Sequence, residues 1–150
     1  MLKNISPLLN ADVLYALRAM GHGDELIVAD CNFPADSVAR QTRLGHGLRI
    51  ETATAADAVA AILSVMPLDT FIEDAAMRME VVGAPEDIPA VQLEVQAVVD
   101  VAEGRSWPLG SIERFAFYER AKQAYCIIQT GERRFYGCFA FTKGVIPPDA

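Results

Sequence analysis

Four apolar residues in unbroken succession, Leu26 to Ala29, predict a β-strand that is buried on both of its faces. A strand of this kind needs a covering layer on each side, and in α/β proteins helices supply those layers. A helix is predicted directly before it, beginning after the N-cap residue Asn10 and ending at Gly21. The run therefore favours a layered α/β/α fold.

The remaining elements alternate in the same way. Further strands are predicted at 47–50, 77–82, 125–129 and 134–141, and further helices at 54–66, from Pro89 to about Ala102, and at 112–122. Residues 130–133 predict a tight turn, so the last two strands are expected to form an antiparallel hairpin. No repeat, linker or low-complexity segment interrupts the pattern. We therefore predict one domain over residues 1–150 with a mixed, mostly parallel sheet.

Composition excludes several classes of function. Apolar residues make up 52% of the chain, which argues against disorder, and the net charge of −7 argues against binding to nucleic acid or to anionic membranes. No apolar run reaches the roughly 18 residues that a membrane span needs, and no signal peptide is evident. The three cysteines, Cys31, Cys126 and Cys138, lack CxxC spacing and predict reduced thiols in a cytoplasmic protein.

One of the two histidines, His22, lies between two glycines just after the first helix, and Asp30 ends the strand that follows. Ligands of open α/β sheets bind beyond the carboxyl ends of strands, which makes Asp30 a site candidate. The two residues form an acid/base pair if they face the same cleft. The alternative is that Gly21-His22-Gly23 only ends a helix. The spacing of His22 and nearby acids does not match a metal site, and we predict no metal.

Later in the chain, Arg114 can bind hydroxyl groups through its guanidinium, and Tyr136 offers a phenol beside Gly137. The alternatives are a solvated helix face around Arg114 and a simple strand bulge at Gly137. Cys138 lacks a paired base and is not expected to be a nucleophile, and Met79 is predicted as a core residue. No glycine-rich phosphate loop follows a strand, so ATP and NAD find no support.

Five segments, taken together and in this order, resemble the RbsD/FucU family of D-ribose pyranases and L-fucose mutarotases. They are residues 1–9, 20–25, 29–35 and 114–121, and Thr130-Gly131-Glu132 with Tyr136-Gly137. The resemblance extends over nearly the whole chain, to Gly144. Residues 114–121 are closer to the fucose branch than to the ribose branch. The implied fold is the RbsD-like α/β/α domain.

The resemblance implies a role for each matching residue. His22 corresponds to the family's proton donor, Asp30 to a substrate-binding carboxylate beside it, and Arg114 to a sugar-binding arginine. Tyr136 and Gly137 correspond to the start of a Tyr-Gly-Asn segment that contacts the sugar. Here Cys138 replaces the asparagine, and a thiol forms weaker hydrogen bonds than an amide. This replacement of asparagine by Cys138 affects the expected identity of the sugar more than the expected type of reaction.

The implied activity is the interconversion of the anomers of a free monosaccharide by acid/base-catalysed ring opening without a cofactor. L-fucose is the substrate that the resemblance favours. His22 would protonate the ring oxygen, and Asp30 or Tyr136 would take the anomeric proton. The resemblance also implies a ring-shaped homo-oligomer, with a decamer as one form, and sites near subunit contacts. Two alternatives stay open: a non-catalytic sugar-binding or transport-accessory protein, because of Cys138, and a ribose-type pyranase.

Overall fold

Five helices and six strands build the fold of the computed structural model, which describes residues 1–150. The helices are α1 (Ala11–Ala19), α2 (Ala35–Ala39), α3 (Ala55–Leu63), α4 (Ala90–Glu103) and α5 (Arg114–Gln123). The strands are β1 (Glu25–Ala29), β2 (Leu48–Ile50), β3 (Ala76–Met79), β4 (Gly110–Ile112), β5 (Cys126–Thr130) and β6 (Phe139–Thr142). None of the helices is both long enough and apolar enough to cross a membrane.

All six strands form one sheet in the order β2-β5-β1-β6-β3-β4. Strand β6 runs antiparallel to both of its neighbours, β1 and β3, and the other three pairings are parallel. The predicted mixed, mostly parallel sheet is therefore confirmed. The two outer strands, β2 and β4, are only three residues long.

Helices cover both faces of the sheet. Alternate residues of β1 point to opposite sides, so that Leu26 and Val28 join a cluster of 28 buried residues under α1, α3 and α4. Ile27 and Ala29 join a cluster of 14 buried residues under α2 and α5. The unbroken apolar run of β1 is thus explained, because both of its faces are buried, and the three predicted layers are present.

Several helix boundaries lie where the sequence predicts them, for local reasons. The side chain of Asn10 accepts a hydrogen bond from the N–H of Val13, and the Thr54 hydroxyl accepts one from the N–H of Asp57. Gly104 ends α4 in the left-handed conformation, with φ at 65°. These caps satisfy backbone groups at the helix ends, and they are readable from sequence because they involve neighbours along the chain.

The predicted hairpin between the last two strands is wrong. Strand β1 lies between β5 and β6 and pairs with both, so the connection crosses over one strand instead of turning back. Strand β6 also begins at Phe139 instead of residue 134. Two short elements, α2 and β4, were not predicted; at five and three residues they carry too little periodicity to be detected.

The connection, residues 131–138, is named here the crossing segment, and buried contacts anchor it to the sheet and to α3. The N–H of Gly131 donates to the carbonyl oxygen of Ala53 at 2.9 Å. The buried carboxylate of Glu132 accepts from the N–H of Ala55 at 3.3 Å and from Nε of Arg134 at 2.9 Å. These bonds lower the pKa of Glu132 to about 2, and the Arg134 side chain is the largest cause.

We expect Glu132→Gln to remove part of the chain's sensitivity to acid. Because the folded state lowers the pKa of Glu132, the carboxylate stabilises the fold above its ordinary pKa near 4.5, and that stability is lost as the pH falls towards 2. The variant should be about 1–3 kcal/mol less stable at pH 7 and should show a flatter decline below pH 5. Urea unfolding across this pH range measures both effects.

The matched control is Glu51→Gln, because Glu51 forms only an exposed ion pair with Arg49, in which the Glu51 side chain is 62% accessible to solvent. Exposed pairs contribute about 0–1 kcal/mol, so this variant should follow the parent chain. Equal acid profiles for the two variants would contradict the role assigned to Glu132.

Candidate functional site

A cavity of about 280 Å³ opens where β1 ends and β6 begins. The cavity is lined by Asp30, Asn32, Phe33, Met79, Arg114, Tyr118, Phe135, Tyr136 and Cys138. Four residues that the sequence singles out therefore meet here, from three separate parts of the chain. Gly137 adjoins them, since its N–H donates to the Asp30 carboxylate. Met79, predicted as a core residue, is buried and also forms part of the wall.

Asp30 is buried, and protein groups occupy both of its carboxylate oxygens. Oδ1 accepts from the N–H groups of Asn32 at 2.9 Å and Phe33 at 3.0 Å, which fixes the turn after β1. Oδ2 accepts from the N–H of Gly137 at 3.2 Å and lies 3.5 Å from Sγ of Cys138. A carboxylate has about four lone-pair sites. A ligand hydroxyl can therefore reach Asp30 best by displacing the thiol, which is the weakest of the four donors.

Cys138 is 2% exposed and remains a neutral thiol. Burial, and after it the negative charge of Asp30, raises the pKa of Cys138 well above its usual value. A thiolate is the reactive form of cysteine, so the expectation that this residue is no nucleophile agrees with its surroundings. What the side chain offers the cavity is a small apolar surface and one weak donor.

Arg114 is the first residue of α5, and the helix places it beside an aromatic wall. Its Nη2 lies 3.5 Å from the phenol oxygen of Tyr118, one turn further along the same helix. This contact is the largest cause that raises the pKa of Arg114. Tyr118 in turn stacks on Phe33 at a centroid distance of 5.1 Å. The sequence analysis did not single out Tyr118, although its i,i+4 spacing from Arg114 was a usable signal.

Tyr136 adopts the left-handed conformation, with φ at 63°. This conformation costs a residue other than glycine about 1–2 kcal/mol, so its surroundings must hold it. Its phenol oxygen accepts from the N–H of Val82 at 3.3 Å, and the phenol proton remains free to bond a ligand. The next residue must be small, because a Cβ on Gly137 would lie 2.8 Å from Cγ of Glu132.

His22 does not line this cavity. It precedes β1 whereas Asp30 follows it, and five residues at roughly 3.3 Å each place about 16 Å between the ends of the strand. The expectation that the two residues share one cleft is therefore not met within a single chain. The physical reason is that β1 runs straight through the middle of the sheet, with its two ends on opposite edges of the molecule.

At its own end of the sheet, His22 has a well-defined setting. Its Nε2 lies 3.1 Å from Oδ2 of the buried Asp69, and its ring meets Phe71 edge-on at 5.4 Å. The N–H of Phe71, and after it the His22 ring, lowers the pKa of Asp69. An ionised carboxylate only accepts, so Nε2 carries the proton that faces Asp69, and Nδ1 is left for a ligand.

Asp69 is a residue that the sequence analysis missed. It is 47 positions from His22, and no local pattern joins the two. Its own backbone is fixed through a hydrogen bond from its N–H to the carbonyl oxygen of Thr142 at the end of β6. A fixed carboxylate that orients an imidazole is a common arrangement in acid/base catalysis. No group of three or more histidine, cysteine, aspartate or glutamate side chains is placed to hold a metal ion.

Known proteins resemble this chain over almost its full length. A fucose mutarotase from Bos taurus is 39% identical over 150 residues, which cover 98% of this chain and 95% of the relative. The crystal structure of the protein Atu2016 is 65% identical with a TM-score of 0.96, covering 98% of this chain and 97% of that one. The structure of a fucose mutarotase from Streptococcus pneumoniae in complex with L-fucose is 32% identical with a TM-score of 0.86, covering 97% and 100% of the two chains.

The family comparison agrees with these matches. The model of the RbsD / FucU transport protein family matches residues 3–146. The resemblance noted from five short segments thus extends through the elements between them, including those that the segments did not touch. This chain belongs to the RbsD/FucU family.

Proposed function

We propose that this protein is a sugar mutarotase, an isomerase that interconverts the anomers of free L-fucose. The observation that carries the proposal is the cavity that brings Asp30, Arg114 and Tyr136 together. It joins a carboxylate, a guanidinium and a phenol, which bind hydroxyl groups, to an aromatic wall that suits the apolar face of a sugar ring. Its relatives from Bos taurus and Streptococcus pneumoniae are named fucose mutarotases, and the latter has L-fucose bound.

The working site is composed of two copies of the chain. One copy supplies the cavity at the carboxyl end of its β1, and the next supplies His22 with Asp69 from the opposite end of its own β1. A single chain holds these two halves about 16 Å apart, whereas a proton donor must lie within hydrogen-bond reach of the sugar. Head-to-tail contacts of this kind close into rings when the rotation between copies permits. A decamer remains a prediction from the family resemblance.

The two ends of the molecule suit each other in exposed aromatic surface and in charge. Around the cavity, Phe115 and Phe135 are 68% and 74% exposed, and Arg133 is also exposed. Beside His22, Phe71 is 72% exposed, and the acidic residues Glu73 and Asp74 follow it in the chain. Exposed apolar groups rimmed by charges mark interaction surfaces. Contact between these ends buries the aromatic residues and sets arginines against carboxylates.

The chemistry follows from this arrangement. His22, protonated on both ring nitrogens, gives the Nδ1 proton to the ring oxygen of the sugar as the bond between that oxygen and the anomeric carbon breaks, and it keeps the Nε2 proton that faces Asp69. The anomeric hydroxyl loses its proton to Asp30, whose Oδ2 it reaches by displacing the Cys138 thiol, and an aldehyde forms. Closure on the other face of the aldehyde reverses the transfers and yields the other anomer. Besides the breaking and re-forming of that one carbon–oxygen bond, only protons are transferred, and positioned acid/base groups accelerate such a step by about 10²–10⁴-fold.

Arg114 and Tyr136 orient the sugar. Both line the same cavity as Asp30, and each has a donor that no protein acceptor occupies strongly: the Arg114 contact to Tyr118 is long, at 3.5 Å. We also propose a cytoplasmic location, supported by three free cysteines, of which Cys31 is exposed. The ribose-type pyranase is less favoured, because the arginine on α5 is the feature that resembles the fucose branch.

One observation favours a second function, binding of a sugar without turnover. Cys138 stands where the family's segment has asparagine, and its thiol occupies Oδ2 of Asp30, the atom that must accept the anomeric proton. If the sugar cannot displace the thiol, the cavity binds the ring without opening it.

We expect two inactive variants to restore each other. His22→Ala removes the proton donor and Arg114→Ala removes a sugar ligand, so each alone should lose about 10²-fold or more of the exchange rate above buffer. In mixed rings, about a quarter of the sites combine an intact cavity with an intact histidine. Saturation-transfer NMR on L-fucose, after the two chains are refolded together, should show about that fraction of the parent activity.

The control mixture combines His22→Ala with Asp69→Asn. Both changes lie in the same half of the site, so no mixed interface holds an intact histidine half, and mixing should restore no activity. Recovery in this control, or no recovery with the first pair, would show that the site is not shared between copies.

We expect Cys138→Asn to alter sugar affinity while activity is kept. An amide replaces one weak hydrogen bond with stronger ones, and a single bond is worth about 0.5–1.5 kcal/mol, or about 2–10-fold in kcat/KM for L-fucose. The measurement is exchange NMR together with calorimetry on a panel of aldoses. A parent chain that binds L-fucose without turnover, and a variant that gains turnover, would instead support the binding-only function.

A further inference from the structure

Gln92, in the first turn of α4, is fully buried and reaches from the helix to the crossing segment. Its amide nitrogen donates to two carbonyl oxygens, that of Met79 at 2.7 Å and that of Tyr136 at 3.0 Å. Both acceptors belong to residues of the cavity wall. A buried glutamine is unusual unless its groups are satisfied, and here both of its amide protons have partners.

The other end of the Gln92 amide faces Arg78, a buried guanidinium on β3. Nη1 of Arg78 donates to Oε1 of Gln92 at 3.2 Å, and Nη2 donates to the carbonyl oxygen of Pro85 at 2.9 Å. None of the ion pairs in the structure includes Arg78. Because Arg78 can only donate, it defines which end of the amide is oxygen and so turns the Gln92 nitrogen towards Tyr136.

Tyr136 needs this support, because it has a left-handed backbone that residues other than glycine rarely adopt. Its carbonyl oxygen is fixed by Gln92, and its phenol oxygen by the N–H of Val82. The following N–H, that of Gly137, donates to Asp30. Rotation of the Tyr136 backbone would therefore move the phenol out of the cavity and take a donor away from the carboxylate at the same time.

We infer that Gln92 is a positioning residue of the sugar site: oriented by Arg78, its buried amide holds Tyr136 in the left-handed conformation that places the phenol in the cavity. Gln92 itself does not line the cavity. Its effect on catalysis rests on the proposed function, whereas its effect on the backbone of the crossing segment does not. The two parts can be measured separately.

The test compares Gln92→Met with Gln96→Met. Gln96 lies one turn further along α4 and also bonds main-chain groups, accepting from the N–H of Leu109 at 2.8 Å and donating to the carbonyl oxygen of Trp107 at 2.8 Å. Both variants lose backbone hydrogen bonds from the same helix, but only Gln92→Met touches Tyr136. A second variant, Gln92→Glu, keeps the shape and gains a charge opposite Arg78, yet its carboxylate cannot donate to Tyr136.

Three measurements are made on the assembled protein: KM and kcat for L-fucose, hydrogen–deuterium exchange of residues 131–138, and unfolding in urea. We expect Gln92→Met and Gln92→Glu to raise KM about tenfold, because Tyr136 binds the sugar equally before and during the reaction, and to change kcat by a smaller factor through the lost Gly137 donor to Asp30. Exchange in residues 131–138 should be about tenfold faster. Gln96→Met should lower stability without either effect.

Equal effects of Gln92→Met and Gln96→Met on KM and on exchange would overturn the inference, as would normal exchange of residues 131–138 in both Gln92 variants. If Gln92→Met does not fold, the Gln92→Glu variant decides. If even the parent chain fails to accelerate anomer exchange, the proposed function fails, and the contrast in hydrogen exchange alone decides whether Gln92 holds Tyr136.

Discussion

The burial of β1 between β5 and β6 is the constraint on which the rest of the structure depends. Its residues are apolar on both faces because helices cover both sides of the sheet, and it pairs along its length with one parallel and one antiparallel neighbour. Such a strand can present polar groups only at its ends. The carboxylate of Asp30 and the imidazole of His22 therefore lie beyond opposite ends of β1. A site that uses both must be built from two copies.

Buried polar contacts shape the cavity, and several of them are made to the crossing segment. Asp30 holds Gly137, Glu132 holds Ala55 and Arg134, and Gln92 holds Tyr136. Buried hydrogen bonds in a medium of low polarity are costly to break, so they define one conformation for a segment with little regular structure. The strained backbone of Tyr136 persists because these bonds surround it.

The parts of the fold that could be predicted are those with local causes. Asn10, Thr54 and Gly104 cap helices through backbone groups a few residues away. The apolar run of β1 indicates by its composition that both faces of the strand are buried. Asp30, Arg114, Tyr136 and Cys138 were found because residue type and family resemblance agree. The hairpin was predicted wrongly because β1, which lies between β5 and β6, is about a hundred positions away from them in the sequence. The composition of a turn carries no information about so distant a strand.

Other parts of the site could not be predicted either, because they also depend on contacts between residues that are far apart in the sequence. Asp69 is recognisable as the partner of His22 only once β6 has brought residue 142 beside it. Gln92 is one of two glutamines on α4, and only the fold shows that it is buried while Leu93 and Glu94 beside it on the helix are exposed to solvent. The separation of His22 from the cavity could not be inferred either, because nearness along the chain suggested the reverse.

The shortness of the two outer strands has a consequence for how copies of this chain can meet. Three residues at each edge of the sheet offer few unpaired backbone groups, too few to template a strand from another molecule, which is a known protection against amyloid-like growth. Association by continuing the sheet sideways is thereby discouraged. The side chains at the two ends of the strands are left as the surfaces on which another molecule can be recognised selectively.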